Sequence, residues 1–584
     1  MAEWSPDAPA GMTPVIFDGC FGWFHPAGRR RGAVLCGPIG EEADFVHRVW
    51  REFAENLARA GVSALRFDYP GTRNSRDLDD PSQAIKAWVD SIKAAIRWLK
   101  DEALIDEVVL VGMRFGTALA VKCAEELGGV GRLVLMAPVS SGSAYQREVA
   151  MLAGVSHNTT SANDRPGLER TGTLFTMESV INVQGLEIGQ GDVRPAQHVL
   201  VLSTPVAAGG RKLIGRLGAL GVEIREEPFD GYAALMIVPE SAQYPQVAFG
   251  KVVDWLRADI DPAAPAAPSG AAVSLSLPQG RETPIFFGAG APLFGILTTP
   301  RRRREDRPGV VFINTSAISQ AGTNRMWVSL ARRLATLGFT SLRFDICGVG
   351  DSPPQPLRPD PVNQMREASE DARAAISRLL QEGCGKITLV GYCWGAQLAC
   401  NVALADDRVS GLVMINSRRL FWDFATAKYP SRTVQRCLRL ARDPARWRRV
   451  LKGEIPLSDV FQVGVQLIRG VLESGQTRKA RLENRRAKAG RRLRSLKARG
   501  VEALLVQGQD DPFLVEFEDY FATPREALAG FFGMKTRYID GVDHLFRNHQ
   551  GLSILGEIVV EHFSLPTKNA ARKARISGPV SASP

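Results

Sequence analysis

The stretch Ile387-Thr388-Leu389-Val390-Gly391-Tyr392-Cys393-Trp394-Gly395-Ala396-Gln397-Leu398-Ala399 sets an apolar run before a glycine-flanked turn and a helix-permissive run after it. That order predicts a strand, a sharp turn and a helix, with Cys393 held at the turn as a nucleophile. Gly391 and Gly395 are needed because strand and helix approach too closely for a side chain at either flank. Residues 108–120 (VVLVGMRFGTALA) repeat the pattern with Arg114 in place of the cysteine. An arginine cannot attack a carbonyl.

The repeat extends in both directions. Residues 57–75 (LARAGVSALRFDYPGTRNS) match 334–352 (LATLGFTSLRFDICGVGDS), and 133–136 match 412–415, at an offset of 277 to 279 residues. Solenoid repeats run about 20 to 50 residues, so this period means two whole domains. The expected organisation is a first domain over 1–260, a Pro/Ala-rich linker over 261–275, a second domain over 276–566 and a disordered tail over 567–584. At 584 residues, 45% hydrophobic and 23% charged, the chain has the composition of soluble globular protein.

The net charge of +11 is unevenly distributed: residues 418–499 hold 23 Lys and Arg against 6 Asp and Glu, which leaves the remainder near −6. This segment, about 418–500, is expected to form a basic helical cap. Its charge reads either as a solvated helical face or as an attraction for an anionic partner such as an acyl carrier protein, coenzyme A or a membrane surface. Nucleic acid is not expected, because no aromatic interleaving or nucleic-acid module accompanies the charge. The start lacks the basic and apolar regions of a signal peptide and no run of about 18 apolar residues occurs, so a cytoplasmic protein is expected. Eight scattered cysteines without C-x-x-C spacing predict reduced thiols and neither metal nor cofactor.

Strands at 309–314, 340–345, 387–390, 503–506 and 535–539 alternate with helical patterns at 326–337 and up to about 380, which predicts a parallel sheet with function at its strands' carboxyl ends. A cysteine with pKa about 8.5 needs a base at neutral pH. His544, in the loop after the last strand, is better placed than His549 or His562. Asp511, just past a strand end, is the expected orienting carboxylate, with Asp510 as competitor. The oxyanion is expected to meet the N–H of Trp394 and that of Thr315 or Ser316. The alternative for the latter loop is a simple turn.

With this order of nucleophile, acid and histidine, and with Arg343-Phe344-Asp345-x-x-Gly348-x-Gly350-Asp351-Ser352, the second half resembles the α/β-hydrolase superfamily, especially its serine aminopeptidase-like and dienelactone hydrolase-like branches. The resemblance implies two tandem α/β-hydrolase domains, each a mostly parallel sheet flanked by helices, and cleavage or transfer of an acyl group from an ester or thioester. The usual nucleophile of the superfamily is serine. Cysteine there is similar to dienelactone hydrolases and polyhydroxyalkanoate synthases, and it favours exchange through a thioester.

The first half resembles the same fold from about residue 32 to 256, without its machinery. Arg114 replaces the nucleophile, no acid follows the strand at 198–203, and 230–240 stands where the histidine loop belongs. This half therefore reads as a pseudoenzyme domain. Arg114 is expected either to bind a carboxylate or phosphate of a ligand or to pair with an acid such as Glu240. The competing reading of the whole chain is a noncatalytic binding or scaffold protein for an acidic or acyl-carrying partner, with Cys393 a buried inert thiol.

Overall fold

A computed structural model describes residues 11–28, 30–139, 141–156, 182–188, 192–204, 208–258, 260, 273–288, 292–315, 317–353, 361–420, 475–514, 517, 534–546 and 549–564. The linker, most of the cap and the tail expected from sequence lie outside these residues.

The strands are β1 (Thr13–Phe17), β2 (Cys20–His25), β3 (Arg31–Cys36), β4 (Ser63–Phe67), β5 (Glu107–Met113), β6 (Val130–Met136), β7 (Ala196–Ser203) and β8 (Glu223–Pro228) in the first half. The second half has β9 (Leu275–Leu277), β10 (Gly280–Phe287), β11 (Leu293–Pro300), β12 (Gly309–Ile313), β13 (Ser341–Phe344), β14 (Ile387–Tyr392), β15 (Val409–Ile415), β16 (Glu502–Gly508) and β17 (Lys535–Ile539). They form two sheets, ordered β1-β2-β4-β3-β5-β6-β7-β8 and β9-β10-β11-β13-β12-β14-β15-β16-β17. Apart from the added β9, the two orders are the same. The strands from β3 to β8, and from β12 to β17, pair in parallel, while each sheet opens with antiparallel strands. The fold is thus two tandem α/β domains.

Parallel strands covered on both faces are apolar without interruption. In β5, Leu110 joins the core under the helix Ala84–Asp101, whereas Val109 and Val111 join the core under the helices Glu41–Arg59 and Gln246–Arg257. The second sheet divides in the same way, with Leu389 on one face and Val390 on the other. The leading hairpins β1–β2 and β10–β11 were not among the strands expected from sequence. In β2 every residue is buried, so the alternation that marks a half-exposed strand is missing. One reason is the second domain.

That burial comes from the domain seam. Trp23 packs edge-on against Phe294 with centroids 4.7 Å apart, in a cluster that also holds Met12, Phe21, Phe286 and Ile296. Around it, Arg66 Nη2 donates to Asp351 Oδ1 at 2.7 Å and Trp23 Nε1 donates to Asp351 Oδ2 at 3.0 Å. In the opposite direction Arg343 Nη1 donates to Asn74 Oδ1 at 2.8 Å. Arg66 and Arg343 are equivalent in the sequence repeat, as are Asn74 and Asp351, so each domain offers the other the same arginine and the same turn. The association is isologous, as between copies in a two-fold dimer, but within one chain.

Arg66 and Asp351 are both buried. Removing one partner of a buried pair leaves an uncompensated charge. We expect Arg66→Ala to lower stability by about 3–5 kcal/mol in denaturant unfolding; an unchanged midpoint would show that the seam does not depend on this pair.

Candidate active site

Cys393 ends β14 and caps the helix Trp394–Ala405, with φ 54° and ψ −114°. This left-handed conformation is unusual for a residue with a side chain and marks local strain. It is enforced by close approach. A Cβ on Gly391 would lie 2.3 Å from the Gly395 carbonyl oxygen, and one on Gly395 would lie 2.3 Å from that of Asn314. The strained turn presents the thiol at the helix N-terminus, where unpaired N–H groups favour negative charge.

The loop after β17 brings His544 within reach of this thiol, close enough for each to shift the other's titration. On the other side His544 Nδ1 lies 2.8 Å from Asp511 Oδ2. Asp511 is buried beyond the end of β16 and its Oδ1 accepts the Phe513 N–H at 2.8 Å; the competing Asp510 is exposed. The Phe513 ring meets His544 edge-on at 4.8 Å. The Thr315 hydroxyl also lies within reach of the thiol and lowers it. Trp394 is the first residue of the helix after Cys393, and Ser316 lies outside the described residues. His549 and His562 belong to the helix His549–Ser564.

The electrostatics run against burial. Burial alone would push the Cys393 thiol up, but the hydrogen bond and charge of His544, the Thr315 hydroxyl and the Arg418 charge bring it below the ordinary thiol value. Burial would likewise lower His544, yet its bonds to Asp511 and Cys393 and their charges raise it to about 9. The two groups titrate as a pair. The lowered thiol and the raised imidazole together favour transfer of the proton from Cys393 to His544.

Residues 320–557 match the family described as the alpha/beta hydrolase fold. The second domain is an α/β-hydrolase-fold domain. Solved structures similar to this chain include an alpha-beta serine hydrolase homologue from Coxiella burnetii, 16% identical with TM-score 0.27, covering 51% of this chain and 98% of that one. Est1E from Butyrivibrio proteoclasticus is 16% identical with TM-score 0.28, covering 48% and 96%. A dienelactone hydrolase from Anabaena variabilis is 14% identical with TM-score 0.29, again covering 48% and 96%. No curated protein matches the chain.

The α/β-hydrolase domain holds its histidine loop with residues that the sequence did not single out. Asn416, with φ 43° just past β15, donates through Nδ2 to the carbonyls of Asp543 at 3.1 Å and His544 at 3.0 Å, while its Oδ1 accepts the Gly508 N–H at 2.7 Å. Tyr392 Oη donates to the His544 carbonyl as well. Arg418 stacks its guanidinium over Phe513 at 4.1 Å. The only signal for Asn416 and Arg418 was position at a strand's carboxyl end.

The other domain keeps the turn and loses the thiol. Arg114 has φ 55° and ψ −124°, and a Cβ on Gly116 would lie 2.1 Å from the Cys36 carbonyl oxygen. The buried guanidinium pairs with Glu42 at 2.9 Å and Glu148 at 3.0 Å and lies over the Tyr145 ring, which donates its hydroxyl to Glu42 at 3.1 Å. The acid pairing anticipated from sequence is therefore present with different partners, since Glu240 is exposed. Of the two readings the sequence left open for Arg114, an acid partner is present as Glu42 and Glu148. The basic helix Gly475–Ala498 is also placed unexpectedly. Ala489, Leu493 and Leu496 bury into the second core, and Arg499 donates to the carbonyls of Ala403 and Asp406. These carbonyls lie at the end of the helix Trp394–Ala405 opposite Cys393, so this part of the anticipated cap flanks the sheet.

Iodoacetamide labelling of Cys393 should hold its rate as pH falls through about 8.5, the free-cysteine value, and drop only at lower pH. In His544→Ala burial is opposed only by the Thr315 hydroxyl and the Arg418 charge, the smaller of the lowering causes, so the inflection should move up. Identical profiles would exclude the ion pair.

Proposed function

We propose that the α/β-hydrolase domain forms an acyl-enzyme on Cys393 from an ester or thioester. The observation that supports this most is the connected line of thiol, imidazole and buried carboxylate at Cys393, His544 and Asp511. The Cys393 thiolate attacks the carbonyl carbon, and the carbonyl electron pair moves to oxygen. The N–H of Trp394 and that of Thr315 receive this oxyanion; Ser316 is the alternative second donor. Each such donor is worth about 2.7–4 kcal/mol in comparable enzymes. As the adduct collapses, the His544 imidazolium gives its proton to the departing alkoxide or thiolate, leaving a thioester on Cys393.

Neutral His544 then takes a proton from the attacking water, alcohol, amine or thiol. The second adduct expels the Cys393 thiolate and restores the ion pair. Water gives hydrolysis and another acceptor gives acyl transfer, so both outcomes share one intermediate. Asp511 holds the imidazole in the required orientation. The first domain is read as a pseudoenzyme because Arg114, at the nucleophile position, is bonded to Glu42 and Glu148. Arg491, Arg494 and Lys497 are exposed along the helix Gly475–Ala498. They suit an acyl donor on an anionic carrier, either a carrier protein or coenzyme A.

Wild type, Cys393→Ala and Cys393→Ser should be incubated with a panel of acyl thioesters and esters and followed by intact mass and product release. We expect an acyl adduct on wild type that Cys393→Ala lacks, and a rate at least about 100-fold lower in His544→Ala, the lower bound for losing a positioned acid–base group. No adduct and no turnover across the panel would favour a noncatalytic binding protein.

A further inference from the structure

The segment 315–325 of the second domain begins at the thiol and ends at the first domain. The Thr315 hydroxyl lies within reach of Cys393. Four residues on, Ser319 Oγ accepts a hydrogen bond from Arg73 Nη2 of the first domain at 2.5 Å. Gln320 N donates to Asp345 Oδ1 at 2.6 Å, and Asp345 Oδ2 accepts the N–H of Asp351, the residue that Arg66 holds across the seam. The segment then turns at Asn324 and Arg325, which have φ 51° and 62°.

Two successive left-handed residues with side chains cost about 1–2 kcal/mol each and persist only where contacts hold them. The contacts are specific and point in opposite directions. Asn324 Nδ2 donates to the carbonyls of Leu545 at 3.3 Å and Phe546 at 2.9 Å, the two residues after His544. Arg325 Nε donates to the Arg73 carbonyl at 2.7 Å, its Nη2 to the Ser75 carbonyl, and its Nη1 pairs with Asp77, all in the first domain. One strained dipeptide therefore ties the histidine loop to the neighbouring domain. A cavity of about 100 Å³ lines the same seam between His47 and Arg73 on one side and Gly322, Asn324 and Arg325 on the other.

We propose that the first domain is a built-in positioning partner of the second. Its loop from Arg73 to Asp77 fixes Arg325, and Arg325 sets Asn324 and through it the backbone that carries His544. The inference rests on the reading of Cys393 and His544 as the reacting pair, and Arg325 acts as a positioning residue. The loss of the nucleophile at Arg114 is then compatible with retention of the whole first domain, because its surface loop rather than its elbow serves the reaction.

The test uses the full chain with Arg325→Ala, Arg325→Lys and Asp77→Asn. Hydrogen–deuterium exchange is followed over 541–546 and iodoacetamide labelling of Cys393 is followed against pH. In Arg325→Ala we expect exchange at 541–546 to rise and labelling at pH 7 to fall by about 2- to 30-fold, the range of coupling through a residue outside the site. The labelling inflection should move up, and Arg325→Lys should recover part of each effect. Should Arg325→Ala fail to fold, Asp77→Asn is expected to give a smaller change of the same sign. Wild-type exchange at 541–546, an unmoved inflection, or equal loosening throughout both domains would overturn the proposal. If wild-type Cys393 labels no faster than free cysteine, the acyl-enzyme reading fails, while the exchange result still decides whether the first domain holds the loop.

Discussion

The left-handed turn at the end of the fifth strand of each sheet's main series is the constraint on which both domains are built. Its backbone is nearly the same at Cys393 and Arg114, with φ of 54° and 55°. Such a conformation survives only where the surroundings leave no other path. Here the surroundings are bare backbone, with Gly395 against the Asn314 carbonyl and Gly116 against the Cys36 carbonyl. The strand, the helix behind it and the loop opposite are locked together by that approach. The side chain at the turn is free to vary because the packing that fixes the turn does not involve it. A thiol at this point meets the imidazole of His544, and an arginine becomes a buried ion-pair centre.

The same economy governs the seam. Each domain contributes an arginine from its fourth strand position and accepts one on the turn that follows, and Arg66–Asp351 and Arg343–Asn74 are two halves of one arrangement. The halves have diverged in charge: one side is an ion pair, the other ends on a neutral amide. Glu282 supplies the missing negative charge, pairing with Arg343 at 2.9 Å and with Arg332 at 2.7 Å. Buried charges of this kind are tolerable only when each finds a partner, which ties the spacing of the domains to specific side chains rather than to apolar area alone. The aromatic cluster around Trp23 and Phe294 adds burial, and the polar ring around it sets the register.

At Cys393 and His544, burial and pairing oppose one another, and pairing prevails. Cys393 would be an unreactive thiol if it were merely buried, as burial raises Cys400 to about 12 only a few residues along the same helix. The largest difference between the two cysteines is the imidazole of His544, backed by Asp511, with the Thr315 hydroxyl and the Arg418 charge beside it. That imidazole is held from several directions, by Asn416 and Tyr392 on its backbone and by Asn324 on the residues after it. Such holding matters because the interaction between two ionisable groups depends on the distance between them.

By itself the sequence determined what local pattern determines. The apolar runs and glycines around Cys393 and Arg114 specified two elbows, their constant offset specified two domains, and the order Cys393, Asp511, His544 named the groups that the fold brings together. Hydropathy also read the central parallel strands, such as β5 and β14, because those are buried on both faces and stay apolar, whereas the charged edge strand β8 was not read. Only the tertiary structure decided the rest. The leading hairpins were illegible because a strand buried by another domain loses the alternation that identifies it. Arg114 could not be matched to Glu42 and Glu148, nor Asn324 to the His544 loop, because hydrogen bonds between residues far apart in the chain leave no periodic trace. The basic run before Arg499 had the composition of a solvated cap, and its placement beside the sheet follows from Ala489, Leu493 and Leu496, three small apolar contacts among many charges. Which face of a charged helix finds the core is settled by shape, and shape is a property of the folded whole.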